Sequence, residues 1–464
     1  MHYFLPGQHG ALRPNRQRDP AEPAVTAAVL AVITRHNMNM STFLAQRKAA
    51  EVRYADKRPR SKELFDRAST VMPGGSTRSV LDVQPFPFRV ASATGSQLTD
   101  VDGITYIDFL GDYSAGLLGH DPAPVRAAVT AALENGWSFG GVHTDEIRAA
   151  EAIVDRFPSV EQVRFTNSGT EANLMALQLA RHHTGRDRIV VSDGAYHGGL
   201  LYFGHGGEAL LAPFDFRRVT YNDIDALPAI DSTVAAVLIE PMMGAGGCIP
   251  ARQEYLEALR RRCDETGALL IFDEVMTSRM SAGGLQQRTG VTPDLTTLGK
   301  YLAGGMTFGA FGGRSDVMAA FDPARGGTLT HGGTFNNNVV SMAAATAALS
   351  ELLSERALSQ LFSRGETLRS RLSDLFHASA LPLVTTGVGS MMAIHTVDGP
   401  VRGPHDLQHS DHELKQLLFH EMLHRGCYFA PRGFIALSLD ITDAQCDTFI
   451  DAMSDAIDAI SASQ

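Results

Sequence analysis

The sequence predicts an α/β fold in which helices cover both faces of a mostly parallel sheet. Apolar runs of strand length alternate with helical patterns in the middle of the chain. The predicted strands are Val163–Thr166, Ile189–Ser192, Val234–Glu240, Ala268–Asp273 and Leu295–Leu298. Strands that are apolar throughout, rather than at alternate positions, are typical of parallel sheets buried on both faces. Polar residues stand at or just beyond each strand end, where ligands bind in such folds.

Helical patterns separate these strands. A helix is predicted at 170–183, where several leucines supply apolar faces, and another with a polar face at Glu254–Thr266. A third, Ser341–Leu353, leads into 355–464, a segment of helices and short strands that we expect to form a small C-terminal domain.

The first part of the chain predicts a different architecture. A short helix at Glu63–Val71 is followed by Pro73-Gly74, which closes it. Short antiparallel strands are then predicted, with Asp102-Gly103 as a hairpin turn. They are Phe88–Val90, Gln97–Asp100 and Tyr106–Asp108.

Composition excludes several classes of function. A chain of 464 residues with 44% hydrophobic and 20% charged residues is globular and large enough for two or three domains. The net charge of −11 and the lack of a long basic run argue against nucleic acid as a partner. Four cysteines without C-x-x-C spacing indicate neither a metal site nor a disulfide framework, so we expect reduced thiols in the cytoplasm.

The N-terminal residues carry several prolines and arginines before an apolar run at Ala24–Thr34. This run is shorter than the roughly 20 residues needed to span a bilayer. It resembles a signal peptide only superficially, because no small-residue cleavage site follows. Because the run is too short to span a bilayer, we expect no membrane association. Translation from Met38 or Met40 would make the first 37 residues an upstream extension.

A lysine and a buried acid carry the strongest chemical signal. Asp273 ends an apolar strand, and Lys300 follows it by 27 positions, next to glycines at 299, 304 and 305. A lysine amine forms an imine with an aldehyde cofactor, and a carboxylate holds a proton on its pyridine nitrogen. The alternatives are a surface lysine and an acid in a core salt bridge. Their shared strand-end position favours a pyridoxal-phosphate (PLP) site.

The segment Ser168-Gly169-Thr170 predicts a phosphate cradle. A strand ends here, and a helix opens at once, so exposed N–H groups and the helix dipole favour an anion. An ordinary serine N-cap, with Glu171 reaching back, is the alternative that needs no ligand.

Other candidates surround this core of the site. Tyr196-His197 follows a strand and could stack on a cofactor ring, although a packing tyrosine remains the alternative. Val275, on the same side of the strand as Asp273, is the candidate for the opposite ring face, and Glu240 lies at a strand end. Arginine suits bidentate carboxylate binding, which makes two loop arginines candidate substrate residues; solvated surface arginines are the alternative. These arginines are Arg78 and Arg432.

The chain from about 62 to 460 resembles the class III, fold type I, PLP-dependent aminotransferases, including glutamate-1-semialdehyde aminomutase. Within them it is most similar to the aromatic β-amino acid aminotransferases. The motifs that carry the resemblance are Phe165–Asn173, Asp273–Arg279, Gly299-Lys300, Phe308–Arg314, Gly333–Asn338, Pro213–Phe216 and Pro431–Phe434. Ala303 stands where glycine is expected, and 137–144 is bulkier than usual in this group.

The resemblance implies roles for these residues. Lys300 would carry the imine, Asp273 would face the ring nitrogen and Tyr196 would stack on the ring. Thr334 would contact the phosphate from the partner subunit of a homodimer. Arg78 would bind the carboxylate of a β-amino acid donor, and Arg432 the α-carboxylate of a 2-keto acid acceptor such as 2-oxoglutarate or pyruvate.

The resemblance also implies a division into domains and a reaction. We expect an N-terminal extension at 1–61, a segment of the small domain at 62–125, a large PLP-binding domain at 126–354 and the rest of the small domain at 355–464. The leading hypothesis is transamination between an aromatic or related β-amino acid and a 2-keto acid. The alternatives are an aminomutase of the glutamate-1-semialdehyde type, transamination of another amine, and a ligand-binding regulator without catalysis.

Overall fold

The structure is a computed structural model, which describes residues 41–462 of the protein. The predicted features of the N-terminus lie outside these residues, including the apolar run Ala24–Thr34 and the start sites at Met38 and Met40. None of the described helices is long and apolar enough to cross a membrane.

The described residues form α-helices and β-strands in the following order. The helices are α1 (41–56), α2 (Pro59–Ser69), α3 (Ala123–Glu134), α4 (Thr144–Arg156), α5 (Gly169–Thr184), α6 (Gln253–Thr266), α7 (Gly284–Thr289), α8 (Ser315–Met318), α9 (Val339–Ala347), α10 (Glu355–Ala378), α11 (His412–His424) and α12 (Asp443–Ser461). The strands are β1 (Val90–Thr94), β2 (Gln97–Asp100), β3 (Thr105–Asp108), β4 (Gln162–Thr166), β5 (Arg188–Ser192), β6 (Asp215–Val219), β7 (Val234–Ile239), β8 (Met242–Met243), β9 (Ile249–Pro250), β10 (Leu269–Asp273), β11 (Leu295–Gly299), β12 (Gly309–Gly313), β13 (Val384–Val388), β14 (Met391–His395), β15 (Cys427–Tyr428) and β16 (Phe434–Ala436).

A seven-stranded sheet lies at the centre of the large domain. Its strand order is β4-β12-β11-β10-β7-β5-β6. Strand β12 is antiparallel to both of its neighbours, and the pairs among β11, β10, β7, β5 and β6 are parallel. The five predicted strands of the middle region are all present within one or two residues of their predicted bounds.

Two strands of this sheet were not predicted, for physical reasons that differ. β6 is an edge strand with the sequence Asp-Phe-Arg-Arg-Val, and its charged side chains are exposed. β12 has the sequence Gly-Ala-Phe-Gly-Gly, a composition unfavourable for a strand. Its glycines are required because β12 lies very close to its neighbours: a Cβ at Gly309 would overlap the carbonyl oxygen of Ser168.

The helix that was predicted at Glu63–Val71 begins earlier than expected, at Pro59. Its first turn is capped from a distance. Asp102, in the β2–β3 hairpin turn, accepts hydrogen bonds from the N–H groups of Arg60 and Ser61 at 2.8 and 2.9 Å and from the Ser61 hydroxyl at 2.6 Å. Such a long-range cap leaves no local sequence signal.

Two smaller sheets join distant parts of the chain. The sheet β1-β2-β3-β15 pairs the N-terminal segment with Cys427-Tyr428, and β13-β14-β16 is formed within the C-terminal segment. The predicted strand at Phe88–Val90 is wrong in its bounds, because β1 begins at Val90 and Phe88 instead stacks on Tyr106, with 4.9 Å between the ring centroids. The domain bounds at 61, 125 and 354 stay a prediction.

The close approach of β12 to β4 gives a stability prediction. Gly309→Ala places a methyl group against Ser168 and Thr166, so the two strands must move apart. We expect a lower melting temperature, with a loss of about 1–3 kcal/mol of unfolding free energy, as for other overpacked cores. A melting temperature of Gly309→Ala equal to that of the wild-type protein in calorimetry would contradict this account.

Candidate active site

The carboxyl ends of β4, β5, β7, β10 and β11 converge on one cleft. The cleft is small, with a cavity volume of about 110 Å³. Eight of the predicted site residues line it: Gly169, Thr170, Tyr196, His197, Glu240, Asp273, Val275 and Lys300. It is also lined by Asn173, Gly198, Met242 and Met276.

Asp273 lies at the end of β10 and is 5% exposed. Its Oδ2 atom accepts hydrogen bonds from Asn173 Nδ2 at 2.8 Å and is 2.9 Å from His197 Nδ1, while Oδ1 accepts one from the Val275 N–H at 3.0 Å. The carboxylate is thus fixed in one orientation before any ligand binds. The adjacent Glu274 lies on the other side, where it accepts hydrogen bonds from the N–H groups of Leu285 and Gln286 and has a structural role.

Asn173 is the residue of this cluster that reasoning from the sequence missed as a site residue. It lies on the buried face of α5, 1% exposed, and it also donates to the His197 carbonyl at 3.0 Å and accepts from the Thr297 hydroxyl at 2.7 Å. The sequence did carry a signal for Asn173: it is a polar amide on an otherwise apolar helix face. Because buried polar groups need hydrogen-bond partners, such a residue indicates a polar cluster.

The start of α5 has the geometry predicted for an anion site. Ser168 is the N-cap, and its hydroxyl accepts a hydrogen bond from the Glu171 N–H at 3.2 Å. Glu171 reaches back to the Asn167 N–H at 2.9 Å, so the predicted cap is present as well. The cap leaves the first N–H groups of the helix, at Gly169 and Thr170, without partners inside the helix.

Glycines allow neighbouring segments to approach this helix start. Gly198 has φ +116°, and a Cβ there would overlap the Thr170 hydroxyl, which accepts a hydrogen bond from the Gly199 N–H at 3.3 Å. A Cβ at Gly169 would lie 2.8 Å from Val275 Cγ2. The loop after β5 and the segment after β10 therefore both pack directly on the predicted phosphate cradle.

Glu240 and Lys300 have shifted pKa values. Burial raises the pKa of Glu240 to about 7, and the charge of Asp273 adds to the rise; the Glu240 carboxyl accepts hydrogen bonds from the Tyr196 and Gly244 N–H groups. Burial lowers the pKa of Lys300, against the opposing effect of the carboxylates around it. A lowered pKa makes the neutral amine, the nucleophilic and basic form, more accessible.

These residues fit PLP. The helix start offers N–H donors to a phosphate, and the glycines leave room for it. The buried Asp273 carboxylate, already oriented by three donors, suits a further N–H donor from the ring. His197 also has a fully buried Nε2 atom without a hydrogen-bond partner among the described residues. Lys300 and the 38%-exposed Tyr196 side chain lie in the same cleft, where they would contact the aldehyde and ring.

The two predicted arginines meet at one aromatic ring. The guanidinium carbons of Arg78 and Arg432 lie 5.3 and 5.2 Å from the ring centroid of Tyr113. Burial raises the pKa of Tyr196, and the positive charges of both arginines oppose this rise. Tyr113 was not predicted as part of the site.

Tyr113 belongs to a turn with an unusual backbone. Asp112, Tyr113 and Ser114 have φ values of 43°, 53° and 76°, directly after Gly111 at 53°. Residues other than glycine adopt this left-handed region at a cost of about 1–3 kcal/mol each, and such strain is concentrated at functional sites. The Arg78 Nη1 atom donates to Asp112 Oδ1 at 2.8 Å, so the turn is in contact with a predicted substrate residue.

Thr334 is not among the residues that line the cleft of its own chain; it is exposed. It lies in 332–338, a segment held near the site by Asn336, which accepts a hydrogen bond from Asn167 at 2.8 Å. Among residues 41–462, no cluster of acidic, histidine or cysteine side chains could hold a metal ion, and all four cysteines are buried and unpaired.

Known proteins resemble this chain over most of its length. Residues 80–203 and 215–457 match the family described as aminotransferase class III. A β-phenylalanine transaminase from Variovorax paradoxus is 49% identical over 405 residues, which cover 86% of this chain and 93% of that protein. The crystal structure of a β-phenylalanine aminotransferase from V. paradoxus has a TM-score of 0.88 at 48% identity and covers 91% of this chain and 98% of that chain.

Two further proteins extend the comparison. The structure of a transaminase with PLP bound has a TM-score of 0.80 at 33% identity, covering 87% of this chain and 98% of that one. A glutamate-1-semialdehyde 2,1-aminomutase from Methanopyrus kandleri is 37% identical over 429 residues, or 88% of this chain and 99% of that protein.

The chain belongs to the class III aminotransferases. This confirms the predicted α/β fold of the PLP-dependent transferases, the PLP cofactor and the assignment as a transaminase. The alternative of a ligand-binding regulator without catalysis finds no support in these comparisons.

The raised pKa of Glu240 gives a pH prediction. The pKa of Glu240 is about 7 in the folded protein and ordinarily 4.5. Between these two pH values the folded state binds a proton at Glu240 that the unfolded state has lost. The free energy of unfolding therefore falls as the pH rises through this range. In cofactor-free protein, Glu240→Gln should therefore gain stability relative to wild type between about pH 5 and 8, by on the order of 3 kcal/mol at most. Melting curves across this range test it, with the exposed Glu351→Gln as control. A pH-independent difference for Glu240→Gln would contradict the assignment.

Proposed function

We propose that this protein is a PLP-dependent aminotransferase that moves an amino group from an aromatic β-amino acid of the β-phenylalanine type to a 2-keto acid. The observation that carries the proposal is the pair of arginines, Arg78 and Arg432, that flank Tyr113 beside the Lys300 cleft. The identity of 49% to a β-phenylalanine transaminase supports the choice of donor.

When bound, PLP supplies an aldehyde that takes up the amino group and a ring that withdraws electrons from the neighbouring C–H bond. Lys300 would hold the aldehyde and, when its amine is free, would move a proton as general base and acid, work typically worth about 10²–10⁴ in rate. Asp273 would face the ring nitrogen and keep it protonated, and Tyr196 would cover the ring face.

Two arginines suit two substrates that bind in turn to one site. In a β-amino acid the carboxylate stands one carbon farther from the amine than in an α-amino acid. We assign that carboxylate to Arg78, on the N-terminal loop after α2, and the α-carboxylate of 2-oxoglutarate or pyruvate to Arg432, in the loop before β16. Because the two carboxylates bind different arginines, donor and acceptor can alternate in a ping-pong sequence.

A homodimer is part of the proposal. Apolar side chains are exposed around Trp137, Val142 and Phe335, at 72%, 90% and 60%. A large groove, lined by residues of 142–155, 162–165 and 318–337, adjoins them. Exposed apolar side chains grouped in this way favour a second copy of the chain as the partner. The partner's copy of the 332–338 segment would then bring Thr334 to the phosphate. The unpaired, buried cysteines support the predicted cytoplasmic location.

Substitution of the two arginines should separate the half-reactions. Arg78→Ala removes the charged partner of the donor carboxylate, so kcat/KM for β-phenylalanine should fall about 10- to 100-fold, while Arg432→Ala should mainly impair the keto acid. Each half-reaction is followed alone by the visible absorbance of the cofactor. Lys300→Ala is the control that abolishes both.

Three other results would each contradict part of the proposal. An unchanged donor half-reaction in Arg78→Ala would refute the role of this arginine. Isomerisation of glutamate-1-semialdehyde without any added keto acid would favour the aminomutase, and turnover of amines that lack a carboxylate, unaffected by Arg78→Ala, would favour another amine donor.

The oligomeric state is tested by placing a charge in the exposed apolar region. Val142→Glu should shift the protein from dimer to monomer in analytical ultracentrifugation, because a buried, unpaired carboxylate opposes association. Val52→Glu is the matched control: this valine of α1 is 59% exposed, outside the region proposed to be the interface. A monomeric wild-type protein, or a dimer that survives Val142→Glu unchanged, would count against this interface.

A further inference from the structure

Asp112 approaches Arg78 from the strained turn at 111–114. The salt bridge is monodentate, with 2.8 Å between Arg78 Nη1 and Asp112 Oδ1. The side chains are 47% and 55% exposed, so water and small ligands reach both. The other N–H groups of the guanidinium are not used by Asp112.

The turn that carries Asp112 is fixed from several sides. Asp108 Oδ1 accepts hydrogen bonds from the N–H groups of Leu110 and Gly111 at 2.8 and 3.1 Å. The Tyr113 hydroxyl donates to the Val80 carbonyl at 2.7 Å, which ties the turn to the loop of Arg78. These contacts fix the backbone from which the Asp112 side chain extends to Arg78.

The two arginines differ in their charge balance. Both lie about the same distance from Tyr113, but only Arg78 has a carboxylate partner. Within residues 41–462, no carboxylate forms a salt bridge with Arg432, whose guanidinium instead lies 5.4 Å from the Phe434 ring centroid. The positive charge of Arg78 is thus partly neutralised by Asp112, whereas the charge of Arg432 is not neutralised by a carboxylate among the described residues.

We propose that Asp112 is a specificity-determining residue that acts as an internal competitor for carboxylate ligands at Arg78. This deepens the proposed function and rests on it for the role of Arg78. A ligand carboxylate must share the guanidinium with Asp112 or displace it, and it meets the negative charge of Asp112 in doing so. Simple carboxylates and the second carboxylate of a dicarboxylate are therefore disfavoured at Arg78, while a donor anchored by its amine still binds.

The test uses the holoenzyme of Asp112→Asn, since asparagine tolerates the left-handed backbone and removes only the charge. The probe is 3-phenylpropanoate, which has the carboxylate and ring of β-phenylalanine but no amine and cannot react. Its dissociation constant, from the visible absorbance of the cofactor, should fall about 2- to 5-fold, the size expected for an exposed ion pair. The dissociation constant of 2-oxoglutarate should fall as well.

Two further variants show whether Asp112 acts through Arg78. In an Arg78→Ala background, Asp112→Asn should leave the affinity for 3-phenylpropanoate unchanged, because the contested guanidinium is gone. Asp82→Asn removes an exposed charge from the same loop region, without a salt bridge to Arg78 in the described structure, and should also have no effect. Melting temperatures of all variants verify that they are folded.

Weaker or unchanged binding of 3-phenylpropanoate to Asp112→Asn would overturn the proposal; weaker binding would mean that Asp112 orients Arg78 instead. A gain that persists in the Arg78→Ala background would also overturn it, as a general effect of net charge. Tighter carboxylate binding through Arg78 in a protein that does not transaminate β-phenylalanine would leave this inference standing and refute only the proposed donor.

Discussion

The buried carboxylate of Asp273 is the constraint on which the rest of the site depends. A charge at the end of a strand buried on both faces is tolerated only with partners, and three parts of the chain supply them: α5 through Asn173, the loop after β5 through His197, and the backbone at Val275. Satisfying this one group aligns the helix start, the aromatic loop and the segment beside the lysine. This arrangement would set the ring and phosphate positions of a bound cofactor relative to each other.

Much of this could be predicted from local sequence, because burial on both faces leaves a continuous apolar signal. The five strands found in advance all have it, and Asp273 and Lys300 were identifiable because polar residues interrupt or follow such runs. The signal fails where tertiary contacts replace it. β6 is polar because it is an edge, β12 is rich in glycine because its neighbours are close, and α2 begins early because Asp102 caps it from the hairpin.

The candidate site residues divide in the same way. Those in recognisable motifs could be proposed from the sequence, whereas Asn173, Asp112 and Tyr113 become candidates only through contacts with residues distant in sequence. Tyr113 matters because the loop of Arg78 and the loop of Arg432 come together on its ring, and no spacing rule connects positions 78, 113 and 432. Thr334 is a different case, since its proposed ligand would belong to another subunit and a single chain does not bring the two together.

The pairing of β15 with β3 has a consequence for how substrates alternate. Ile107 and Phe109, just before the turn, donate hydrogen bonds to the carbonyls of Gly426 and Tyr428, and Phe109 accepts one from the Ala436 N–H. Because the Tyr113 hydroxyl also donates to the Val80 carbonyl, the two proposed carboxylate-binding residues, Arg78 and Arg432, belong to one structural unit formed by the N-terminal and C-terminal parts of the described chain. A rotation of this unit relative to the large sheet would move Arg78 and Arg432 together. The distance between the two guanidinium groups would stay constant, and with it the length of a ligand that can contact both.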